Sequence, residues 1–316
     1  MPISEEYREL AARVSNWGRW GDDDQAGTMN LVDAAAVLRG VAAVKRGERF
    51  ALAVELREDG IQVGQPAGRF NPVVTPTSLN ERDKFAPGIW EGTDDIFSMS
   101  TCAATHVDAL SHVGYDGQLY GGRDQYATVK ARDGAKELGA SAIPPLVTRG
   151  LLVDVPRVRG VEELDAGTAV TSDDLDAALD AAGVTPEPGD ALCVRTGDIR
   201  HYHAGDKSRY AMGVEWRTVG LGASCIEWTH DHDLAGVFLD TYTYEVMPPE
   251  SGNWDDMMIV HMLQVRDMGL LQGQNWDFEA LAQDCATHGG VEFLLVAVPE
   301  PLRGAASSPV APVAVR

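Results

Sequence analysis

The sequence CAATHVDALSH, residues 102–112, places two histidines, an aspartate, a threonine and a cysteine within eleven residues. Such a density of these side chains is typical of a metal site or a proton relay, and imidazole with carboxylate suits zinc, manganese or iron. If residues 102–108 are extended, Cys102, His106 and Asp108 share one face, because side chains alternate along a strand. If a helix begins near Asp108, His112 lies one turn further on the same face. A strand followed by a helix would therefore bring all four side chains into one pocket.

The spacing alone leaves other roles open. Asp108 could cap a helix N-terminus while His106 lies at the surface. Cys102 could be a metal thiolate, a nucleophile or a small buried hydrophobe. The motifs HYH at 201–203 and HDHD at 230–233 also have metal-like spacing, but the polar surroundings of HDHD favour a solvated turn. We assign none of those four histidines to the site.

Strand-like and helix-like segments alternate along the rest of the chain without an obvious linker. The capping sequence TSDDL at Thr171 and a stop at Gly183 predict a helix. Residues 66–90, rich in Pro, Gly and Asn, predict a long loop of the kind that often covers a site. The alternation predicts one α/β domain over residues 1–316. The predicted strands are 50–56, 150–155, 191–197, 235–241 and 293–298, and the further predicted helices are 33–46, 224–230, 259–269 and 278–286.

The charge of the chain limits its partners. Its formal net charge is −22, so it lacks the basic patch that nucleic acid or an anionic membrane surface requires. We therefore expect a small-molecule substrate, no nucleic acid and no membrane. The first residues, MPISEEYREL, lack the basic start and apolar core of a secretory signal. The four cysteines form no CxxC pair, which favours free thiols and a cytoplasmic location.

The stretch CAATHVDALSH resembles the signature H-x-G-T-H-x-D-x-P-x-H of the cyclase family of metal-dependent hydrolases, which includes bacterial kynurenine formamidase and isatin hydrolase. Further blocks resemble the longer subgroup of that family and follow its order over nearly the whole chain. The resemblance implies an α/β domain with a mixed β-sheet core flanked by helices, and assembly as a homodimer or homotetramer. The blocks are WGRWGDDDQAGTMNLV, YDGQLYGG, TRGLLVDVPRVRGVEEL, EPGDALCVRTG, LDTYTYEVMP, HMLQVRDMGLLQGQNWDFEALAQDC and FLLVAVPEPLRGAASSPVAPVAV.

The resemblance also assigns roles to individual residues. It implies that His106 and Asp108 are metal ligands, that His112 is the acid/base, and that His261 matches a ligand of a second metal. Arg195, in one of the family blocks, is a candidate for binding a substrate carboxylate.

Three positions depart from the family pattern around the metal. Cys102 replaces a histidine ligand, Ala104 replaces a glycine, and Gln274 replaces a glutamate that helps to hold the second metal. Cysteine keeps a ligand but a softer one that prefers zinc, whereas glutamine removes a charge. We therefore expect one divalent ion, zinc or manganese, in place of two, with loss of the metal as a further option.

Three functions follow from this residue set. The first is a metal-dependent hydrolase of a cyclic amide, a lactone or an N-acyl small molecule, in which a metal-activated water reacts and His112 transfers the proton. The second is a family member that has lost its metal and catalyses cyclisation, dehydration or isomerisation by acid/base chemistry. The third is a non-catalytic relative that binds a small molecule or a partner, which the joint presence of His106, Asp108 and His112 disfavours.

Overall fold

A nine-stranded mixed sheet forms the centre of the computed structural model, which describes residues 3–81 and 88–316. The strands in chain order are β1 Arg49–Ala51, β2 Val73–Glu81, β3 Gly92–Ser98, β4 His106–Asp108, β5 Val129–Lys130, β6 Gly134–Ala135, β7 Leu146–Asp154, β8 Ala169–Val170, β9 Ala191–Arg195, β10 Gly220–Leu221, β11 Gly236–Leu239, β12 Leu271–Gln274, β13 Glu292–Ala297, β14 Ser307–Pro309 and β15 Val313–Val315. Their order across the sheet is β1-β15-β13-β7-β9-β11-β12-β4-β14. The remaining strands pair as β2 with β3, β5 with β6 and β8 with β10.

The middle of this sheet is parallel and its two sides are antiparallel. β7, β9, β11 and β12 run in parallel, whereas β13 and β4 join them in the antiparallel sense. Every residue of β9 and β11 is buried, as expected for parallel strands that are covered on both faces. This architecture confirms the predicted α/β fold with a mixed sheet flanked by helices.

Helices and apolar side chains cover both faces of the sheet. One face packs against a cluster that includes Leu192, Val194, Val237 and Leu263, and the other against a cluster around Phe238 that includes Cys193. The helices are α1 Glu5–Arg13, α2 Ala34–Ala43, α3 Gln125–Thr128, α4 Val155–Arg159, α5 Ser172–Ala182, α6 Ile199–His203, α7 Lys207–Met212, α8 Ser224–Asp231, α9 Ile259–His261 and α10 Glu279–His288. Short 3-10 turns lie at Gly27–Leu31, Tyr120–Gly122, Ala140–Ala142 and Trp254–Asp256.

The helix predicted after Thr171 is confirmed together with its caps. The Thr171 side chain accepts a hydrogen bond from the backbone N–H of Asp174, and the Asp174 carboxylate accepts one from the backbone N–H of Thr171. Gly183 ends α5 with φ 66°, a left-handed conformation that favours glycine. The strands predicted at 150–155, 191–197, 235–241 and 293–298 are also present, each with slightly different ends.

Two of the predictions before the motif were wrong. The strand predicted at 50–56 ends at Ala51, where β1 pairs with the three residues of β15; beyond it, Ala53 makes an isolated bridge with Trp276. Within the predicted loop 66–90, the described part contains β2, which pairs with β3 as an exposed hairpin. Both strands are exposed on both faces, so they lack the alternating pattern that marks a half-buried strand. Residues 82–87 of that predicted loop lie outside the described part of the chain.

The predicted helices around the site also differ in the structure. Residues after Asp108 form a turn, in which His112 N–H donates to the Ala109 carbonyl at 2.8 Å, and not a helix. The predicted helix 259–269 begins as α9 and continues as a π-helix over Met262–Met268, which ends at Gly269 with φ 71°. In both places the chain still turns His112 and His261 toward Asp108.

The C-terminal segment, rich in Ala, Pro and Val, contributes β14 and β15 to the main sheet. β14 pairs with β4 on the side away from β12, so that the motif strand lies between two neighbours. Over residues 3–81 and 88–316, no helix has the length and apolarity required to cross a bilayer.

Candidate metal centre

The motif strand β4 directs His106 and Asp108 to one side of the sheet, while Val107 between them packs into the opposite core. In the register with β12, His106 lies opposite Gln274 and Asp108 lies opposite Gln272. His106 and Asp108 are fully buried, and Cys102, four residues before His106, is 6% exposed. The predicted alternation therefore places His106 and Asp108 together, whereas residues 102–105 form turns in place of the predicted extended chain and bring Cys102 close to both.

Cys102, His106 and Asp108 form a set of three donors whose Sγ, imidazole N and carboxylate O atoms lie within 4.8 Å of one another. His106 Nδ1 lies 2.8 Å from the Ala104 carbonyl, to which it donates, so in the neutral ring that binds a metal Nε2 carries the lone pair. His106 Nε2 and both carboxylate oxygens of Asp108 have no hydrogen-bond partner among the described residues. Buried polar atoms nearly always have a partner. These donors therefore fit a divalent metal ion.

Asp108 is surrounded by three imidazoles. Its Oδ1 lies 3.7 Å from His106 Nε2 and 3.6 Å from His112 Nε2, and its Oδ2 lies 3.8 Å from His261 Nε2. Burial would raise the pKa of Asp108, but the neighbouring His112, His106 and His261 outweigh burial and lower it. Asp108 is therefore a carboxylate at neutral pH and can act as a charged ligand.

Cys102 takes part in the same electrostatic system. Its Sγ lies 2.9 Å from Ser307 Oγ on β14. Burial opposes ionisation of the thiol, but His106 lowers the pKa of Cys102 below its usual value. Conversely, burial would lower the pKa of His106, yet the charge of Cys102 raises it to about 9. The pair thus favours a thiolate, which is the form that binds a metal.

His112 differs from His106 and His261, the two other histidines of the centre, because part of its side chain, 20%, reaches the surface. Burial lowers the pKa of His112, and the opposing effect of Asp108 does not restore it. The imidazole is therefore neutral near pH 7, in the state that a general base requires.

The buried carboxylate of Glu245 orients His261 by accepting two hydrogen bonds from it. Glu245 accepts from His261 Nδ1 at 2.6 Å and from the His261 backbone N–H at 2.9 Å, and it is 2% exposed. Gln274 Nε2 lies 2.8 Å from His261 Nε2, so both ring nitrogens have a protein partner. Burial would lower the pKa of His261, but Glu245 raises it. This hydrogen bonding distinguishes His261 from His106, whose Nε2 is unpartnered.

Arg195 does not join this centre, and the substrate-binding role suggested for it by the sequence stays a prediction. Its guanidinium donates to Glu279 at 2.7 and 3.1 Å and to Asp154 at 2.9 Å. Strands β11 and β12 separate β9, which bears Arg195, from β4. Because two carboxylates already neutralise its charge, Arg195 stabilises the end of β9 and has little capacity left for a ligand.

The remaining histidines lie at other places, as expected from their surroundings. His203 contacts Asp277 at 2.8 Å, His201 lies 3.3 Å from Glu163, and His230 lies 3.2 Å from the adjacent Asp231. His232 instead makes a hydrogen bond to the Trp228 carbonyl at the end of α8.

Three residues at the centre were not identified from the sequence. Glu245 stands within the block LDTYTYEVMP, where an acid among apolar and aromatic residues is the signal that could have identified it, as it could the second acid of the block, Asp240. Ser307 belongs to the C-terminal segment of simple composition. Asn275, with φ 58°, lies next to Gln274, and its Nδ2 donates to the Ala104 carbonyl at 3.3 Å. The same carbonyl of Ala104, the residue at the glycine position of the family pattern, accepts from His106 and so orients the imidazole ring.

Comparisons with known proteins agree with this geometry. No curated protein matches the chain significantly. A crystal structure described as a novel cyclase is 31% identical, with a TM-score of 0.86, and the match covers 97% of this chain and 99% of that one.

Two more distant structures share the fold. Isatin hydrolase A from Ralstonia solanacearum is 19% identical with a TM-score of 0.61, over 89% of this chain and 94% of that one. An isatin hydrolase bound to the product analogue thioisatinate is 17% identical with a TM-score of 0.62, over 90% of this chain and 98% of that one. The model of the family called Cyclase matches residues 49–246. The chain therefore belongs to the cyclase family.

Proposed function

We propose that this protein is a metal-dependent hydrolase that cleaves the amide or ester bond of a small molecule, with a cyclic amide, a lactone or an N-acyl compound as substrate. The observation that carries this proposal is the buried cluster of Cys102, His106 and Asp108, in which His106 Nε2 and both carboxylate oxygens of Asp108 have no hydrogen-bond partner among the described residues. The hydrolase names of the isatin hydrolases that share the fold support it.

The donor set favours one zinc ion, with manganese as the other candidate. Cys102 as thiolate and Asp108 as carboxylate together supply two negative charges, which balance one divalent cation. A thiolate is a soft ligand that prefers zinc. A second cation would lack compensating charge, because Gln274 is neutral where the family pattern has a glutamate. An ion bound there would supply Lewis-acid charge, which polarises a carbonyl group and makes water more acidic.

The remaining residues of the centre position and transfer protons. His112, neutral and partly exposed, accepts the proton of the attacking water and returns it to the leaving nitrogen or oxygen. Asp108 lies 3.6 Å from His112 Nε2 and stabilises the imidazolium that forms. Glu245 holds His261 in one tautomer on the other side of Asp108.

Elemental analysis combined with a substrate panel tests this function. The purified protein should contain about one zinc or manganese per chain, and hydrolysis of lactones, cyclic imides or N-formyl arylamines should stop with chelator and return with metal. The His112→Ala variant should lose activity and keep the metal. Full activity in excess chelator would contradict the proposal.

A metal-free acid/base enzyme is the second candidate, and one observation favours it. Cys102 and His106 form an internal thiolate–imidazolium pair, which compensates their charges without an ion. Such an enzyme would catalyse cyclisation, dehydration or isomerisation with His112 as the proton carrier. Stoichiometric metal in the purified protein would exclude it.

We also propose that the chain assembles as a homodimer or homotetramer through the β2–β3 hairpin. Val74, Leu79, Ile96 and Phe97 on this hairpin are 60–65% exposed. A two-stranded hairpin is marginally stable alone, and Val74 and Phe97, opposite each other in its register, form an exposed apolar pair of the kind that marks interaction surfaces. A second copy of the chain would cover them.

A further inference from the structure

The segment that carries the first metal donor is held through its backbone carbonyls. Residues 102–105, here called the donor turn, form turns and bends immediately before β4. Gln62 Nε2 donates to the first two carbonyls of the donor turn at 3.2 and 3.0 Å. Asn275 Nδ2 donates to the third, that of Ala104, at 3.3 Å. Three consecutive carbonyls therefore bind side-chain carboxamides that come from distant parts of the chain.

A tyrosine hydroxyl binds the oxygen of each of these carboxamides. Tyr242 donates to Gln62 Oε1 at 2.7 Å, and Tyr210 donates to Asn275 Oδ1 at 2.8 Å. All four residues are buried, and none is more than 7% exposed. The two tyrosine rings also meet edge to face, with their centroids 6.2 Å apart. The structure thus contains two neighbouring tyrosine–carboxamide pairs that bind the donor turn.

The two pairs determine which way each amide group points. A backbone carbonyl can only accept, so the NH2 group of each carboxamide must face the donor turn and its oxygen must face the tyrosine. Each hydroxyl also contacts one backbone carbonyl. Within residues 3–81 and 88–316, no other group donates to Gln62 Oε1 or to Asn275 Oδ1. Removal of either hydroxyl would therefore leave a buried amide oxygen without a donor, which is unfavourable.

The donor turn connects both pairs to candidate metal ligands. Cys102 is the first residue of the turn, so the hydrogen bonds from Gln62 hold the backbone that bears the thiol. The Ala104 carbonyl, to which Asn275 donates, also accepts from His106 Nδ1 at 2.8 Å. One pair therefore fixes the backbone at the thiol, and the other fixes the carbonyl that orients the imidazole.

We propose that the pairs Tyr242–Gln62 and Tyr210–Asn275 are positioning residues, which hold the donor turn in its metal-binding conformation before an ion binds. This inference rests on the proposed metal-dependent function for the identity of the ligand. A site that only a fraction of the molecules present in the competent conformation binds with an affinity reduced by that fraction. The two pairs therefore raise the affinity for the metal through the backbone, without supplying a ligand themselves.

The zinc affinities of Tyr242→Phe and Tyr210→Phe test this inference, because each variant removes one hydroxyl and keeps the ring. In competition with a chromophoric chelator, each should bind zinc about 10- to 100-fold more weakly than the wild type, as for other groups that orient metal ligands. Tyr120→Phe is the matched control, because Tyr120 is 1% exposed and its hydroxyl donates to Asp24 at 2.9 Å and to neither carboxamide. This control should lose stability to a similar extent and bind zinc like the wild type.

Hydrogen exchange of the metal-free protein measures the donor turn directly. The backbone amides of residues 102–106 should exchange faster in Tyr242→Phe and Tyr210→Phe than in the wild type and in Tyr120→Phe. Unchanged exchange of these amides in both variants would overturn the inference, and so would unchanged zinc affinity. Because the two pairs are separate, one variant decides the question if the other fails to fold. A wild type that binds no zinc would contradict only the proposed metal, since the exchange rates would still decide whether the pairs hold the turn.

Discussion

Glu245 accepts two hydrogen bonds from one residue, at 2.6 Å from His261 Nδ1 and at 2.9 Å from the His261 backbone N–H. Sixteen residues separate the two in the chain. The contact fixes the proton of the imidazole on Nδ1 and leaves the Nε2 lone pair to accept from the Gln274 amide at 2.8 Å, with Asp108 Oδ2 3.8 Å from Nε2. The carboxylate of Glu245 thus determines which tautomer His261 adopts at the centre.

Replacing Glu245 by Gln should weaken this orientation, because an amide nitrogen cannot accept the second hydrogen bond. We expect activity to fall by about 10- to 100-fold, as for other residues that orient a histidine at a metal site. Nitrogen NMR of the imidazole should report a mixed tautomer. The exposed Glu300→Gln serves as the control, and a wild-type tautomer in Glu245→Gln would contradict the role.

Cys102 should decide how tightly the metal is held. Cys102→Ser removes the thiolate and should lower the zinc content of the purified protein well below one per chain. Cys102→His restores a nitrogen donor of the family pattern and should recover binding, with less preference for zinc over manganese. Elemental analysis measures the zinc and manganese contents of both variants, and Cys285→Ser provides a control away from the centre. Undiminished zinc in Cys102→Ser would exclude a ligand role.

Gln274 should determine the number of metal ions. Gln274→Glu places a carboxylate beside His261 Nε2, from which the amide nitrogen is now 2.8 Å away. With that charge restored, metal content should rise from about one to about two per chain at saturating manganese. The metal-free variant should melt at a lower temperature than the wild type, because a buried carboxylate lacks a partner, and metal should reverse this loss.

Stability should depend on pH through two buried aspartates at the ends of β9 and β11. Burial raises the pKa of Asp198 to about 8 and that of Asp240 to about 7. From about pH 4 upward the unfolded chain loses these protons while the folded chain keeps them, so their contribution to stability falls until the pH passes about 8.

Asp198→Asn removes one of these charges and should stabilise the protein by about 1–2 kcal/mol at pH 8, with little effect near pH 4. Urea unfolding at the two pH values measures the difference, and the exposed Asp173→Asn is the control. An equal effect of Asp198→Asn at both pH values would contradict the assignment.

The hairpin should control the oligomeric state. Val74 and Phe97 lie opposite each other in the β2–β3 register and are 61% and 64% exposed. The double variant Val74→Ser with Phe97→Ser should shift a dimer or tetramer toward the monomer in sedimentation velocity. Leu38→Ser with Val41→Ser, on the exposed face of α2, removes comparable apolar surface and should leave the assembly unchanged. A monomeric wild type would exclude the proposed assembly.

Local sequence patterns predicted much of this fold and part of the centre. The buried runs of β9 and β11 and the capping box of α5 follow from residues that are neighbours in the chain. The hairpin β2–β3 was missed because its strands are exposed on both faces, so that no burial pattern marks them. The exposed apolar side chains on these strands are the basis of the proposed assembly.

The sequence by itself determined that His106 and Asp108 share one face, because side chains alternate along any extended chain. It also showed that Cys102, His112 and His261 are residue types that can bind a metal or transfer a proton. Only the tertiary structure decided which distant residues complete the centre. It placed Glu245 beside His261 Nδ1 and Ser307 against Cys102, and it paired Arg195 with two carboxylates. These contacts depend on the order of strands in the sheet and on long-range packing. The spacing of residues along the chain does not predict either of them.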